Sequence, residues 1–161
     1  MLCPKTRCPV AEQYDFWVGL DEHLQTFAPE DYVLIDGNLS GYVGSSKQGY
    51  ALCHRGHGLG KRNVDGCRIL DCAEAHDFAI ANTFFIKRLT HLATYISVHH
   101  ATQVAYWLIK RYDLNLDINA KVIPSNNIGP QHLPLILDFR ITQSRKSKAK
   151  ITGPKRINIS Y

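Results

Sequence analysis

Apolar residues recur at two spacings along this chain, and the spacing distinguishes helical from extended segments. Between Pro9 and Pro29 the apolar side chains follow a helical spacing, at Phe16, Trp17, Leu20 and Leu24. This pattern predicts an amphipathic helix over about 10–27. The next segment, DYVLID at 31–36, is short, apolar and β-branched, which predicts a buried strand.

A glycine-rich segment separates this strand from the second predicted helix. Its glycines are Gly37, Gly41, Gly44, Gly49, Gly56, Gly58 and Gly60. Such a density favours a long irregular connection, and long connections usually carry function. The following GCRILDCAEAHD (66–77) is predicted to be a helix, capped by Asn63 or Asp65.

The rest of the chain favours strands separated by short polar or proline-bearing turns. The candidates are FAIANTFFI (78–86), HLATYISV (91–98), TQVAYWLIK (102–110), INAKVIP (118–124) and HLPLILDFRI (132–141). The later connections are too short for crossover helices, so neighbouring strands should be mostly antiparallel. The sequence therefore predicts an α/β fold, with one folded unit over 8–141 and a tail over 142–161.

Charge is distributed unevenly between these two parts. The chain carries a formal net charge of +5, but residues 142–161 hold no acid and six basic residues. These are Arg145, Lys146, Lys148, Lys150, Lys155 and Arg156. Without them, 13 basic residues face 14 acidic ones, so the folded unit is not basic. The tail is predicted to be a disordered basic arm that contacts DNA or RNA phosphates or directs localisation. A solubilising tail with no dedicated partner is the alternative.

Hydropathy and cysteine usage bear on the compartment. The chain has no apolar run of membrane-spanning length and no apolar stretch typical of a signal peptide after Met1. We therefore expect a nuclear or cytoplasmic protein that is not secreted and does not enter a membrane. Five cysteines, an odd number, favour reduced thiols over a disulfide framework.

Two familiar site types fit the glycine-rich segment poorly. CHRGHGLGKR (53–62) is not a Walker A loop, because Arg55 and Arg62 stand where that loop needs Gly and Ser or Thr. A zinc site would have to combine Cys53, His54, His57, Cys67 and Cys72. These residues include no C-x2-C pair, and the last two would point in different directions on a helix, which favours ordinary thiols.

Three further polar segments are each weak signals alone but form a pattern together. GNLSG (37–41) follows the first strand, QVAYW (103–107) lies in a later strand, and SNNIGPQHLPL (125–135) precedes the last strand. In this order they resemble the endonuclease/exonuclease/phosphatase superfamily, whose metal-dependent enzymes cut phosphodiester bonds. The chain is most similar to the endonuclease domain of non-LTR (LINE, RTE-type) retrotransposons and to the craniofacial development protein 2 (Bucentaur-related) sequences derived from them.

The resemblance extends over about 8–141 and also includes longer segments. They are CPVAEQYDFWVGLDEHL, IDGNLSGYVG, HGLGKRNVDGCRILDCAEAHDFAIANTFF, TQVAYWLI, VIPSNN and PQHLPLILDFRI, with GPKRI in the tail. The resemblance implies the C-terminal portion of a two-sheet α/β sandwich of the DNase I type, with a mostly antiparallel or mixed sheet and flanking helices.

The family's catalytic positions are largely substituted in this chain. Its strand-to-loop motif is usually Gly-Asp-x-Asn, in which the Asp deprotonates the attacking water and the Asn holds the scissile phosphate; here these are Asn38 and Ser40. The second motif, usually Ile-Asp-Tyr, supplies an Asp that orients the active-site histidine; here it is Ala105. The third motif keeps His132, preceded by Gln131.

The family's metal-binding Glu and an early active-site Asn precede the segments that resemble it. Although Mg²⁺ is the cofactor of the parent family, we therefore expect no cofactor and no metal ligands here. Asp36 lies two residues before Asn38, one pleat repeat away, and is a poor substitute for the missing base.

These substitutions predict an endonuclease-like domain fragment that is inactive as a phosphodiesterase. Two alternatives remain open, a weak Mg²⁺- or Mn²⁺-dependent endonuclease that uses His132 and a module that binds nucleic acid non-specifically through the tail. An apolar sheet face normally covered by the other half of the domain would be exposed, which predicts self-association or a partner.

Overall fold

The computed structural model describes residues 9–98, 100–116, 118–124 and 131–140. Its helices are α1 (Val10–Leu24) and α2 (Val64–Ala75), and its strands are β1 (Leu34–Asn38), β2 (Phe78–Ile80), β3 (Tyr95–Ile96), β4 (Ala101–Thr102), β5 (Ala105–Lys110), β6 (Asn119–Val122) and β7 (Leu135–Asp138). All strand pairs within this part of the chain are antiparallel, so the predicted α/β class and strand direction are confirmed. The basic residues of the tail lie outside the described residues.

The first helix buries the face that the apolar spacing predicts. α1 begins directly after Pro9, and Phe16, Trp17 and Leu20 pack against the core that buries Leu24. It ends at Leu24, earlier than predicted. The Thr26 amide donates to the His23 carbonyl at 3.1 Å, and this tighter turn closes the helix.

The second helix is capped by Asn63, one of the two predicted caps. The Asn63 Oδ1 accepts a hydrogen bond from the Gly66 amide at 2.8 Å, which satisfies one of the free donors of the first turn. The same oxygen accepts from the Tyr42 amide at 2.9 Å. The cap therefore also fastens the glycine-rich segment to the start of α2.

β5 is the central strand of a three-stranded sheet in the order β1-β5-β2. Because side chains alternate along a strand, β5 contributes to two cores. Tyr106 and Leu108 pack with the helices, whereas Trp107 and Ile109 pack on the side of β6 and β7. The helices thus cover one face of the sheet and the β6–β7 pair covers the other.

One predicted strand is wrong in its second half. FAIANTFFI is extended only over β2, after which Ala81–Phe84 forms a 3-10 helix. Asn82 explains the change, because its side chain takes over the pairing with β5. The Asn82 Oδ1 accepts from the Trp107 amide at 2.8 Å, and its Nδ2 donates to the Ala105 carbonyl at 3.3 Å.

Two other predicted strands are shorter or divided. HLATYISV is a strand only at β3, after a 3-10 turn at Leu89–His91, and TQVAYWLIK is split into β4 and β5. A buried threonine causes the split. The Thr94 Oγ1 accepts hydrogen bonds from the amides of Val104 and Ala105 at 2.9 and 3.0 Å, so a side chain replaces a strand there.

No helix in the described ranges combines the length and the apolar character that a membrane crossing needs. Self-association through an exposed sheet face stays a prediction.

Candidate functional site

The first two resembling segments meet at one end of the β1–β5 pair. Asn38 is the last residue of β1 and Ala105 the first of β5, and the two are direct partners in the antiparallel register. The Leu39 amide donates to the Val104 carbonyl at 2.9 Å, so Asn38 and Ala105 form a non-hydrogen-bonded pair. Side chains of such pairs lie close together, with Cβ atoms about 5 Å apart.

The third segment is joined to the same end of the sheet by Thr94. Besides binding the Ala105 amide, Thr94 accepts the Leu133 amide on its backbone carbonyl at 2.9 Å. The Thr94 side chain is fully buried. The structure therefore places the described part of the third segment, from Gln131 onward, next to the first two segments.

Tyr95 holds both residues of the third segment. Its hydroxyl donates to the Gln131 Oε1 at 2.7 Å, and the Ile96 amide donates to the Gln131 carbonyl at 2.8 Å. The rings of Tyr95 and His132 meet edge to face, with centroids 4.9 Å apart. Among the described residues no side chain hydrogen-bonds the His132 imidazole, so its described side-chain contact is the edge-to-face one with Tyr95.

The Asn38 side chain is used by its own turn. Its Oδ1 accepts a hydrogen bond from the Ser40 amide at 3.0 Å, and the Ser40 Oγ lies 3.4 Å away. Ser40 has a φ of 54°, a left-handed conformation that costs a residue with a side chain some free energy. The Asn38 amide is thus an element of local structure, and it has no basic lone pair to deprotonate a water.

Tyr106 fixes the shape of this turn from the core. Its hydroxyl lies 2.6 Å from the Gln103 carbonyl and 2.9 Å from the Gly41 carbonyl, and it accepts from the Val43 amide at 3.3 Å. Complete burial raises the pKa of the Tyr106 phenol, so the hydroxyl keeps the proton that it donates. The turn is therefore held from the core by a fully buried hydroxyl.

Asp36 is the carboxylate of β1 on the same face as Asn38. Its partner across the ladder is Trp107. Partial desolvation raises the pKa of the Asp36 carboxyl, and a hydrogen bond from the Gly37 backbone lowers it in part. The carboxylate stands about 6–7 Å along the strand from the Asn38 position, too far to take its place beside Ala105.

The residues of the conceivable zinc site have other roles. His54 is fully buried, with its Nε2 3.0 Å from the Gly44 carbonyl and its Nδ1 accepting the Gly56 amide at 3.0 Å. Both ring nitrogens are therefore occupied, and desolvation lowers the pKa of His54 to about 4. Cys53, Cys67 and Cys72 are free thiols. Within the described ranges no group of three His, Cys, Asp or Glu is placed to hold a metal ion.

Three residues of this site were not singled out by the resemblance in sequence. They are Thr94, Tyr95 and Tyr106. Thr94 and Tyr106 bind backbone groups, whereas Tyr95 contacts the side chains of Gln131 and His132. Only Tyr106 lies inside a quoted motif.

The four positions predicted from the sequence, Asn38, Ser40, Ala105 and His132, carry an amide, a hydroxyl, a methyl group and an imidazole. This set can donate and accept hydrogen bonds, but it contains no carboxylate that could activate water or coordinate Mg²⁺.

No protein-family model matches the chain, and no curated protein matches it.

Proposed function

We propose that residues 8–141 form a retrotransposon-derived, endonuclease-like unit that does not cleave phosphodiester bonds. One observation carries the proposal. Asn38 faces Ala105 at the point where the three resembling segments meet, and these are the positions at which the family has its carboxylates. The β6–β7 pair packed against the β1–β5–β2 sheet supports the idea that the unit derives from a two-sheet sandwich of the DNase I type.

The missing groups account for most of the catalytic power of such a site. A positioned general base contributes about 10²–10⁴ in rate, and a divalent cation supplies charge stabilisation worth several kcal/mol. His132 alone replaces neither of them, because its ring contacts Tyr95 edge to face and binds no carboxylate in the described part of the chain. The geometry therefore favours a unit that retains the shape of the nuclease turn without its chemistry.

A plasmid-nicking assay tests this proposal. Supercoiled plasmid is incubated with the full chain in Mg²⁺, in Mn²⁺ and in EDTA, and the expected result is the same background of nicked product in all three. The His132→Ala variant, purified in parallel, is the matched control for contaminating nucleases. Metal-dependent nicking that disappears in His132→Ala would overturn the proposal and would establish the weak endonuclease instead.

Non-specific binding of nucleic acid through the tail is the second candidate, and the charge distribution favours it. Six basic residues without an acid could neutralise six phosphates, which gives a salt slope of about −5 on duplex DNA. The test compares the full chain with a variant of equal length in which Arg145, Lys146, Lys148, Lys150, Lys155 and Arg156 are all Gln. If both bind DNA with the same affinity and salt slope, the tail is not the binding element.

A further inference from the structure

An open cleft of about 210 Å³ lies between the glycine-rich segment and the residues that join β4 to β5. It adjoins the candidate site, because Gln103 lies two residues before Ala105 and Thr102 pairs with Tyr95 across β3 and β4. Asn38, Ala105 and His132 are not among its lining residues. Its lining residues are Tyr42, Leu59, Gly60, Lys61, Ala101, Thr102 and Gln103. None of them is acidic, and Lys61, Gln103, Tyr42 and Thr102 each carry at least one hydrogen-bond donor.

Gln103 carries a buried donor with no acceptor among the described residues. The residue is only 2% exposed, and its Oε1 accepts the Leu59 amide at 3.2 Å. Its Nε2 is sealed from solvent and makes no hydrogen bond to any described residue. Exchanging the two amide atoms would not help, because the amide nitrogen would then face the N–H of Leu59. A buried donor in this state destabilises the protein and calls for an acceptor.

Lys61 adds a positive charge to the same cleft. It is exposed, and within the described residues its ammonium has no ion pair and no hydrogen bond. The hydroxyls of Tyr42 and Thr102 are likewise unpaired there. An ammonium, an amide N–H and two hydroxyls are the groups that bind phosphate oxygens.

We propose that this cleft binds a phosphate group, with Lys61 neutralising its charge and the Gln103 Nε2 donating to one of its oxygens. Because that nitrogen is sealed from solvent, binding requires residues that line the cleft to shift and let a phosphate oxygen reach it. Lys61 is exposed and has a flexible stem, so its ammonium can follow the bound phosphate. The proposal is independent of phosphodiester cleavage and of the tail.

Side-chain amide signals give a residue-specific test. Two-dimensional ¹H–¹⁵N spectra of the full chain are recorded while inorganic phosphate is added, and the expected result is a saturable shift of the Gln103 Nε2 signals. Lys61→Ala should weaken binding about tenfold, as for the loss of one charge-assisted hydrogen bond. Lys47→Ala removes the same charge from an exposed lysine of the glycine-rich segment that lies outside the cleft, and it should bind like the wild type.

Gln103→Glu is the second variant. It keeps the oxygen that binds the Leu59 amide but replaces the donor by an anionic acceptor, so phosphate binding should be lost. The proposal is wrong if the Gln103 signals stay in place, or if Lys47→Ala weakens binding as much as Lys61→Ala does.

The source of the phosphate is resolved by two further titrations. One uses a nucleoside 5′-monophosphate, and the other a short thymidine oligonucleotide without terminal phosphates. Tighter binding of the monophosphate than of the oligonucleotide would identify a free nucleotide or phosphate as the ligand, and the opposite order would identify a nucleic-acid backbone. No response of the Gln103 signals to any of the three probes would overturn the proposal.

Discussion

The Tyr106 hydroxyl lies 2.9 Å from the carbonyl of Gly41, although the two residues are far apart in sequence. Tyr106 belongs to the central strand, and Gly41 to the turn that follows β1. The same hydroxyl also contacts Gln103 and Val43. A core residue therefore helps to hold the turn that contains Asn38 and Ser40, together with the bond from the Ser40 amide to the Asn38 side chain.

Tyr106→Phe should destabilise the protein by about 1–3 kcal/mol, because the Val43 amide and a buried carbonyl lose their partner. Urea denaturation followed by circular dichroism measures the change in the free energy of unfolding. The slope of that free energy against urea concentration should be unaltered. Tyr14→Phe is the control, since Tyr14 is 68% exposed and should change stability by less than about 0.5 kcal/mol. Equal effects of the two substitutions would contradict the role assigned to the Tyr106 hydroxyl.

Stability should fall in mild acid because of His54. The pKa of this buried imidazole is lowered from 6.5 to about 4, so below pH 6.5 the unfolded chain binds a proton that the folded chain does not. The contribution of His54 to the free energy of unfolding is complete above pH 6.5, the pKa of histidine in the unfolded chain. It decreases as the pH falls towards about 4, the pKa of His54 in the folded chain. The total loss amounts to about 3 kcal/mol. Urea denaturation between pH 7 and about 4 measures it.

His54→Gln isolates this contribution, because a glutamine does not titrate. Burial raises the pKa of the carboxyls of Asp36 and Asp113, and these groups act in the opposite direction in both proteins. The difference between wild type and variant should therefore shrink as the pH is lowered. A constant difference across this range would show that His54 takes up its proton equally in both states.

The sequence predicted helices and their caps well where these depend on local patterns, such as the spacing of apolar residues or a capping side chain. The face of α1 and the cap at Asn63 follow from such patterns. The errors occur where a polar side chain replaces backbone pairing. Asn82 ends β2 early, and Thr94 separates β4 from β5, and neither effect can be read from propensity because the partners are distant in sequence.

The residues of the candidate site were likewise predicted only in part. Asn38, Ser40, Ala105 and His132 were found through a resemblance, and the structure places their segments together. Tyr95 could not be found in this way, since its contacts to Gln131 and His132 depend on how the last segment packs against β3. The cleft beside Gln103 is also a property of packing, because it forms between two segments that are distant in sequence.

Gly66→Ala should be strongly destabilising although it lies in a helix, where alanine is normally the better residue. A Cβ at this position would stand 1.8 Å from the Tyr42 carbonyl oxygen, so α2 and the glycine-rich segment would have to separate. We expect a loss of about 2–4 kcal/mol in urea denaturation. Gly37→Ala is the matched control, because its nearest neighbour would be the Leu39 side chain at 3.9 Å. A similar loss in both variants would contradict the close approach at Gly66.

Asn38→Asp, Ser40→Asn and Ala105→Asp introduce the residues usual in the nucleases that the sequence resembles. Under our proposal they should not create a nuclease, because the described residues offer no group of metal ligands that the new carboxylates could join. They should instead create repulsion, since Asn38 and Ala105 are direct partners across the ladder. At neutral pH the two aspartates should destabilise the protein by up to about 1 kcal/mol more than the sum of the single substitutions. Urea denaturation of the double-mutant cycle measures this coupling, which should vanish below about pH 3, where both carboxyls are protonated. If Mg²⁺ abolished the coupling at neutral pH, or if the triple variant nicked plasmid, the paired carboxylates alone would suffice to assemble a metal site.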